Sequence, residues 1–205
     1  MKQPSKLYLA SASPRRREIL HNLGFELEVF VKEIDETPQA NETAAAYVAR
    51  MAREKNLAAQ NAWQQLHHTP ADAPIVSADT TVALAQQILG KPENAADARA
   101  MLRALSGNTH QVLTAVCISW QGEMREIVQS SDVRFKELSD EEIERYIATG
   151  EPMDKAGAYG IQGLAGVFIA DLAGSFTGVM GLPVYETCQL LAELNYATPP
   201  FATLP

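Results

Sequence analysis

Cysteine, long apolar runs and basic charge are all scarce in this chain, and each scarcity excludes a class of protein. Two cysteines in 205 residues, Cys117 and Cys188, cannot build a disulfide scaffold, nor by themselves a four-ligand zinc site. The N-terminal stretch MKQPSKLYLASASPRRREIL has an apolar run only from Leu7 to Ala10, too short for a signal-peptide core or a membrane span. The expectation is therefore a soluble cytoplasmic protein with no membrane partner. Lys plus Arg number 17 against 25 Asp plus Glu, a formal charge of −8. Such a surface repels a polyphosphate backbone, so a nucleic acid polymer is not expected as partner. Gly 12 and Pro 11 are near average usage, which excludes collagen-like and low-complexity chains. What remains is 46% hydrophobic residues over a length that suits one domain, with two lobes around a shared cleft.

Strand and helix signals alternate along the chain. Leu7 to Ala10 reads as a buried strand, and Ser13-Pro14 opens a helix with Ser13 as N-cap, Ile19, Leu20 and Leu23 on its apolar side, and Gly24 past its end. A second strand is expected over Phe25–Val31, leading into the acidic turn Glu33-Ile34-Asp35-Glu36. Asn41 can cap a long Ala-rich helix running to about Trp63 with Tyr47, Val48 and Met51 on one face. Ile75 to Ala78 reads as a buried strand ending at Asp79, with Thr80 to Leu84 continuing it and Gln86-Gln87 turning into Ile88-Leu89. A helix over Ala95–Leu105 stops at Gly107. Alternating runs Gln111–Trp120 and Glu123–Phe135 flank Gln121-Gly122 and predict a long hairpin. Ser139-x-x-Glu142 is a capping box for a helix ending near Gly150. Beyond the glycines at 157, 160, 163 and 166, Val167–Ile169 reads as a strand, and Gly181-Leu182-Pro183 opens a last helix to about Leu194. The fold class is α/β: a mixed β-sheet with flanking helices.

Four short constellations can carry chemistry. Ser11-Ala12-Ser13-Pro14-Arg15-Arg16 puts hydroxyls and guanidinium groups beside a helix N-terminus, where free N–H groups and the dipole attract anions. A plain basic first turn would oppose that dipole by roughly 0.3–1 kcal/mol, which favours the anion reading. Asp79, after a buried strand, stands where open α/β sheets place ligand-facing groups; it can hold a divalent metal, accept a proton, or simply cap a turn. Gly90-Lys91-Pro92 aims one ammonium between two backbone constraints, although most such triplets are turns, and it lacks Walker A spacing. Asp154-Lys155-Ala156-Gly157-Ala158-Tyr159-Gly160-Ile161-Gln162-Gly163 lets a flat ligand approach the backbone, with Gln162 able to read a base edge; a glycine-rich turn packed by Tyr159 is the plainer alternative. No H-E-x-x-H or G-x-S-x-G pattern occurs, and both cysteines read as core thiols.

Taken in order, Leu9-Ala10-Ser11-Ala12-Ser13-Pro14-Arg15-Arg16, Ala78-Asp79-Thr80, Gly90-Lys91-Pro92 and Asp154-Lys155-Ala156-Gly157 through Gln162-Gly163 resemble the Maf family of nucleoside triphosphate pyrophosphatases. The resemblance covers Leu7 to about Leu194. It implies an elongated mixed sheet shared with inosine triphosphate pyrophosphatases, a central nucleotide cleft in a single Maf-like domain over 1–205, a divalent cation (Mg²⁺ or Mn²⁺) and a homodimer in the cytoplasm. Carried onto this sequence, it implies phosphate binding by Ser13, Arg15 and Arg16, with Lys55 and Lys91 as further cations. Glu36 and Asp79 would hold the metal, and Asp79 matches the family's general base. Three positions that separate the family's subgroups read Arg15, Thr80 and Gln162, the set similar to the subgroup acting on dTTP and UTP. The subgroup acting on 7-methyl-GTP has Trp, Gln and Glu there. The expected reaction is hydrolysis of a nucleoside triphosphate to the monophosphate and pyrophosphate. A 7-methyl-GTP or other modified-nucleotide pyrophosphatase, or a non-catalytic nucleotide-binding regulator of cell division, is the alternative.

Overall fold

The computed structural model describes residues 5–85 and 87–199. Strands β1 (Lys6–Leu9), β2 (Glu26–Val29), β3 (Ile75–Leu84), β4 (Gln87–Leu89), β5 (Thr109–Trp120), β6 (Glu123–Phe135) and β7 (Ile169–Ala173) form one mixed seven-stranded sheet in the order β2-β1-β3-β5-β6-β7, with β4 on β3. Helices α1 (Pro14–Asn22), α2 (Ala44–His67), α3 (Ala95–Leu105), α4 (Asp140–Ala148), α5 (Phe176–Met180) and α6 (Val184–Glu193) flank it. Among the described residues no helix is long and apolar enough to cross a membrane.

The pairing of β3 creates the site. Antiparallel β5 occupies one edge of β3 from Ile75 to Ala83. On the other edge, parallel β1 reaches only Ile75 and Val76, and β4 pairs only Val82 to Leu84. Ser77 to Thr81 thus have no strand on that side, and the cleft opens there. The direction of the sheet changes at the same gap, the position where open α/β sheets bind ligands. Asp79 is accordingly in the middle of a ten-residue strand and not at its end, as the sequence predicts.

Period-two alternation sorts the core. Leu7, Leu9, Val76, Ala78, Val116 and Ile118 pack with α1 and α6 on one face. Tyr8, Ala10 and Ile75 meet Ala59 and Trp63 of α2 on the other, and Ala115 and Cys117 meet Val48 and Ala52 there. Farther along the first face, Val82 and Val112 join a cluster with Leu102, Leu105, Phe135, Tyr146 and Phe168. Two clusters of core lie on this face, and the polar pair Thr80–Thr114 lies between them in register.

Most punctuation signals act where the sequence places them. Ser13 Oγ accepts from Arg16 N, Ser139 and Glu142 close a full capping box, and Gln121 and Gly122 both take positive φ in the β5–β6 turn. Several expectations are corrected. Thr43, not Asn41, caps α2: Asn41 takes φ +60°, so Thr43 is the residue whose extended backbone aims an oxygen at Ala46 N. That helix continues past Trp63 to His67, and β2 is shorter than Phe25–Val31. Leu164–Phe168 is a 3₁₀ turn, so only Ile169 of the expected Val167–Ile169 strand is extended. The last helix begins at Val184, preceded by the unpredicted α5. Gln87 belongs to β4 instead of a turn, and Gln86 lies outside the described residues.

Candidate active site

A cleft of about 1090 Å³ opens at the gap beside β3, and Ser13, Arg15, Arg16, Glu36, Lys55, Asp79, Thr80, Lys91 and Gln162 all line it. These residues come from segments spread over most of the chain, so their convergence is a property of the fold alone.

At its acidic wall, Lys55 Nζ lies 2.8 Å from Asp79 Oδ1 and 2.7 Å from Glu36 Oε1. Buried polar bonds set this registration. Asn56, fully buried, donates to the carbonyls of Ile75 (2.9 Å) and Cys117 (3.0 Å), and Ser77 Oγ donates to Ala52 O at 2.7 Å. They dock α2 on β3 so that Lys55, one residue before Asn56, faces Asp79. The loop carrying Glu36 is tied to the same helix: Tyr47 Oη donates to Glu36 O (3.0 Å), and Arg50 donates to Thr37 O (3.1 Å) and to Glu42 at 2.7 Å. Of the acidic turn, Glu36 reaches Lys55, while Asp35 instead accepts from Thr37 N at 2.9 Å. Burial, reinforced by the negative charges of Asp79 and Glu36, pushes the Tyr47 hydroxyl up to about 12. Tyr47 is a site residue that its apolar helical spacing concealed.

The cleft lining is also cationic. Arg15 and Lys91 face the cleft without an ion-pair partner among the described residues. Arg16 differs. It is buried, and its donors go to Gly181 O (Nε, 2.8 Å), Ser11 Oγ (Nη1, 2.8 Å) and Thr80 Oγ1 (Nη2, 3.0 Å). Burial lowers its pKa, against the pull of Asp79. Each Nη keeps one further N–H, so Arg16 is first a brace for the cleft and second an anion donor. Gly157 N donates to Gly90 O at 3.0 Å, fastening the loop of Lys91 to the glycine-rich segment. That segment brings Lys155, Tyr159 and Gln162 to the cleft, with Gln162 exposed. Val82, Ile88, Val112 and Ile161 supply an apolar stretch on which a flat ring can rest.

Among the described residues no cluster of three or more His, Cys, Asp or Glu forms a ready metal cage. The donor set is Glu36 and Asp79, drawn together around one ammonium. Two carboxylates, with phosphate oxygens and water completing an octahedron, suit Mg²⁺ or Mn²⁺ and no all-protein site. The residues present fit such an ion.

Known proteins resemble this chain over most of its length. A protein from Pasteurella multocida named dTTP/UTP pyrophosphatase is 59% identical over 188 residues, 91% of this chain and 94% of its own length. One from Haemophilus ducreyi, named nucleoside triphosphate pyrophosphatase, is 57% identical over 93% of this chain and 95% of its own. A dTTP/UTP pyrophosphatase from Neisseria meningitidis is 52% identical over 95% and 97%. The solved Staphylococcus aureus Ham1 protein aligns over 64% of this chain and 72% of its own at 10% identity and a TM-score of 0.42; the fold described above stands on its strand pairings and not on that match. The family model described as Maf-like protein matches residues 6–194, and the chain belongs to that family.

Proposed function

We propose that the protein hydrolyses dTTP and UTP between the α- and β-phosphates, giving the nucleoside monophosphate and pyrophosphate. The observation that carries this reading is the Glu36–Lys55–Asp79 cluster sharing one cleft with Arg15, Lys91, Thr80 and Gln162. Relatives at 59% and 52% identity that bear the dTTP/UTP name support the substrate class.

The chain's own groups divide the work. Arg15, Lys91 and the free donors of Arg16, with the N-terminus of α1 behind Ser13, bind the phosphates and offset charge that grows on the leaving pyrophosphate. Lys55 fixes the Asp79 carboxylate, which orients the attacking water and takes its proton. Gln162 offers a paired donor and acceptor to the edge of a pyrimidine, and the small Thr80 leaves room beside it. Glu36 and Asp79 would hold Mg²⁺ or Mn²⁺, which when bound neutralises phosphate charge and makes water more acidic. The reading extends to a cytoplasmic homodimer in which each chain is one two-lobed domain. That extension rests on the family resemblance, and sedimentation equilibrium tests the dimer.

Pyrophosphate release from dTTP, UTP, CTP, GTP and 7-methyl-GTP, with Mg²⁺, Mn²⁺ or EDTA, tests the function. Metal-dependent release led by dTTP and UTP is expected. Release led by 7-methyl-GTP overturns the pyrimidine assignment, and nucleotide binding without any release makes the protein a regulator.

A further inference from the structure

We infer that Thr114, which lines no part of the cleft, is a positioning residue for nucleotide selection, acting through Thr80 and Arg16. The inference rests on the function proposed above and on a closed ring of hydrogen bonds beneath the cleft floor.

Thr80 and Thr114 are cross-strand partners on β3 and β5, between the apolar pairs Val82–Val112 and Ala78–Val116. They are thus a polar break on a sheet face otherwise covered by the two core clusters. Thr114 is fully buried, and its Oγ1 lies 2.8 Å from Gly178 O and 2.9 Å from Thr80 Oγ1. Proton accounting fixes the direction of every bond. A carbonyl only accepts, so the one hydroxyl proton of Thr114 goes to Gly178. Thr114 must then accept from Thr80, and Thr80, its proton used, accepts from Arg16 Nη2 at 3.0 Å. Arg16 Nε closes the ring on Gly181 O at 2.8 Å, and Gly181 N donates back to Gly178 O at 2.9 Å.

The ring has two consequences for the ligand. Thr80 lines the cleft, and its Oγ1 keeps a lone pair and no proton to give, so a substrate group that meets it has to be a donor. Uracil and thymine carry N3–H, which suits such an acceptor, while cytosine has a bare N3. The sugar hydroxyl is the other donor that a uridine or thymidine nucleotide has. Arg16 is held at three atoms, with its remaining N–H groups aimed in one orientation. Remove the Thr114 hydroxyl and Thr80 is free to rotate its proton toward the cleft, presenting a donor where an acceptor stood.

The test is equilibrium binding of α,β-imido-dUTP and α,β-imido-dCTP, together with kcat and KM for UTP, in Thr114→Val and Thr114→Ser, each with native or Thr80→Val partner. Loss of one buried hydrogen bond corresponds to roughly a 3- to 10-fold change. Thr114→Val is expected to weaken imido-dUTP binding and raise KM by that factor, with kcat changed less than twofold and imido-dCTP binding unchanged or tighter. Thr114→Ser should stay within about twofold of wild type, and Thr114→Val should add nothing on Thr80→Val. Equal weakening of both nucleotides would place the sugar hydroxyl at Thr80, which 3′-deoxy-UTP then confirms by its indifference to the substitution. Unchanged binding and KM in folded Thr114→Val, or the same loss on both backgrounds, overturns the proposal. If Thr114→Val does not fold, Thr114→Ala removes the same hydroxyl without an added methyl. Failure of both beside an active serine variant assigns the hydroxyl to folding and also overturns it. A wild type that binds but releases no pyrophosphate refutes the hydrolase reading alone, since the binding series stands without turnover.

Discussion

Lys55 of α2 meets Asp79 of β3 at 2.8 Å, and the same ammonium holds Glu36 at 2.7 Å. A helix and a loop thereby clasp the stretch of β3 that has a strand on one side only. The side chains of Lys55 and Asp79 are mostly shielded from water, at 16% and 13% exposure, so their attraction is less screened than that of a surface pair. The site is built with its cation already in place between the carboxylates.

Asp79→Asn keeps the shape and the hydrogen bonding capacity of the side chain while removing its basicity. Turnover should fall by at least about 10²-fold, the low end for losing a general base, with the thermal midpoint nearly unchanged. Steady-state pyrophosphate release and a melting curve decide it. Near-normal turnover would remove Asp79 from proton transfer.

Lys55→Met leaves Glu36 and Asp79 facing each other without a cation. Turnover should fall at least tenfold, because the water-orienting carboxylate loses its anchor. The Mn²⁺ concentration for half-activation should drop several-fold, since one competing positive charge about 4 Å away is gone. A rise in that concentration would show that the ammonium aligns the carboxylates for the metal instead of competing with it.

Local chemistry was legible in the sequence and distant chemistry was not. Ser13-Pro14, the Ser139–Glu142 box and Gln121-Gly122 each act over a few residues, and each behaves as its side chains dictate. The motifs contain Ser13, Arg15, Arg16, Asp79, Thr80, Lys91 and Gln162 of the cleft lining, while Glu36 and Lys55 came only with the family resemblance and Tyr47 was missed. The use of Arg16 did not, because Thr80 and Gly181, which occupy its donors, are 64 and 165 residues away. The open edge at Asp79 was hidden for the same reason: where β1 stops against β3 is set by pairing, not by the composition of Ile75–Leu84. Helix α5, five residues long with a central glycine, is too short to show a helical period, yet it and its C-cap Gly181 carry two of the carbonyls that hold the cleft floor.

His110 predicts an acid sensitivity. It is 1% exposed; Nε2 pairs with Tyr159 Oη at 2.8 Å, and Nδ1 has no partner among the described residues. Burial lowers its pKa from 6.5 to about 4. Between those values the unfolded chain binds a proton that the folded one refuses, so stability is complete above about pH 6.5 and falls as the pH drops toward 4. The shift corresponds to roughly 3 kcal/mol over that window. Urea midpoints at pH 7, 5.5 and 4 should decline less in His110→Gln than in wild type. Parallel declines would mean that His110 is not the sensor.

Gly157 links backbone geometry to phosphate binding. Its φ is +68°, and a Cβ there would lie 2.9 Å from both methyls of Val82. Its N–H also holds Gly90 O at 3.0 Å, and thereby the loop of Lys91. Gly157→Ala combines backbone strain with overpacking, so a loss of about 1–3 kcal/mol is expected, a drop of several degrees in the melting midpoint. Relief of the clash moves the segment away from Val82 and slackens the Gly90 bond, so KM for dTTP should rise more than kcat falls. Gly90→Ala is the contrast in stability: nothing lies within 4 Å of its Cβ, and it should cost under about 0.5 kcal/mol. If Gly157→Ala melts like wild type, Val82 yields without strain. An unchanged KM in a destabilised Gly157→Ala would mean instead that the Lys91 loop holds its position without this bond.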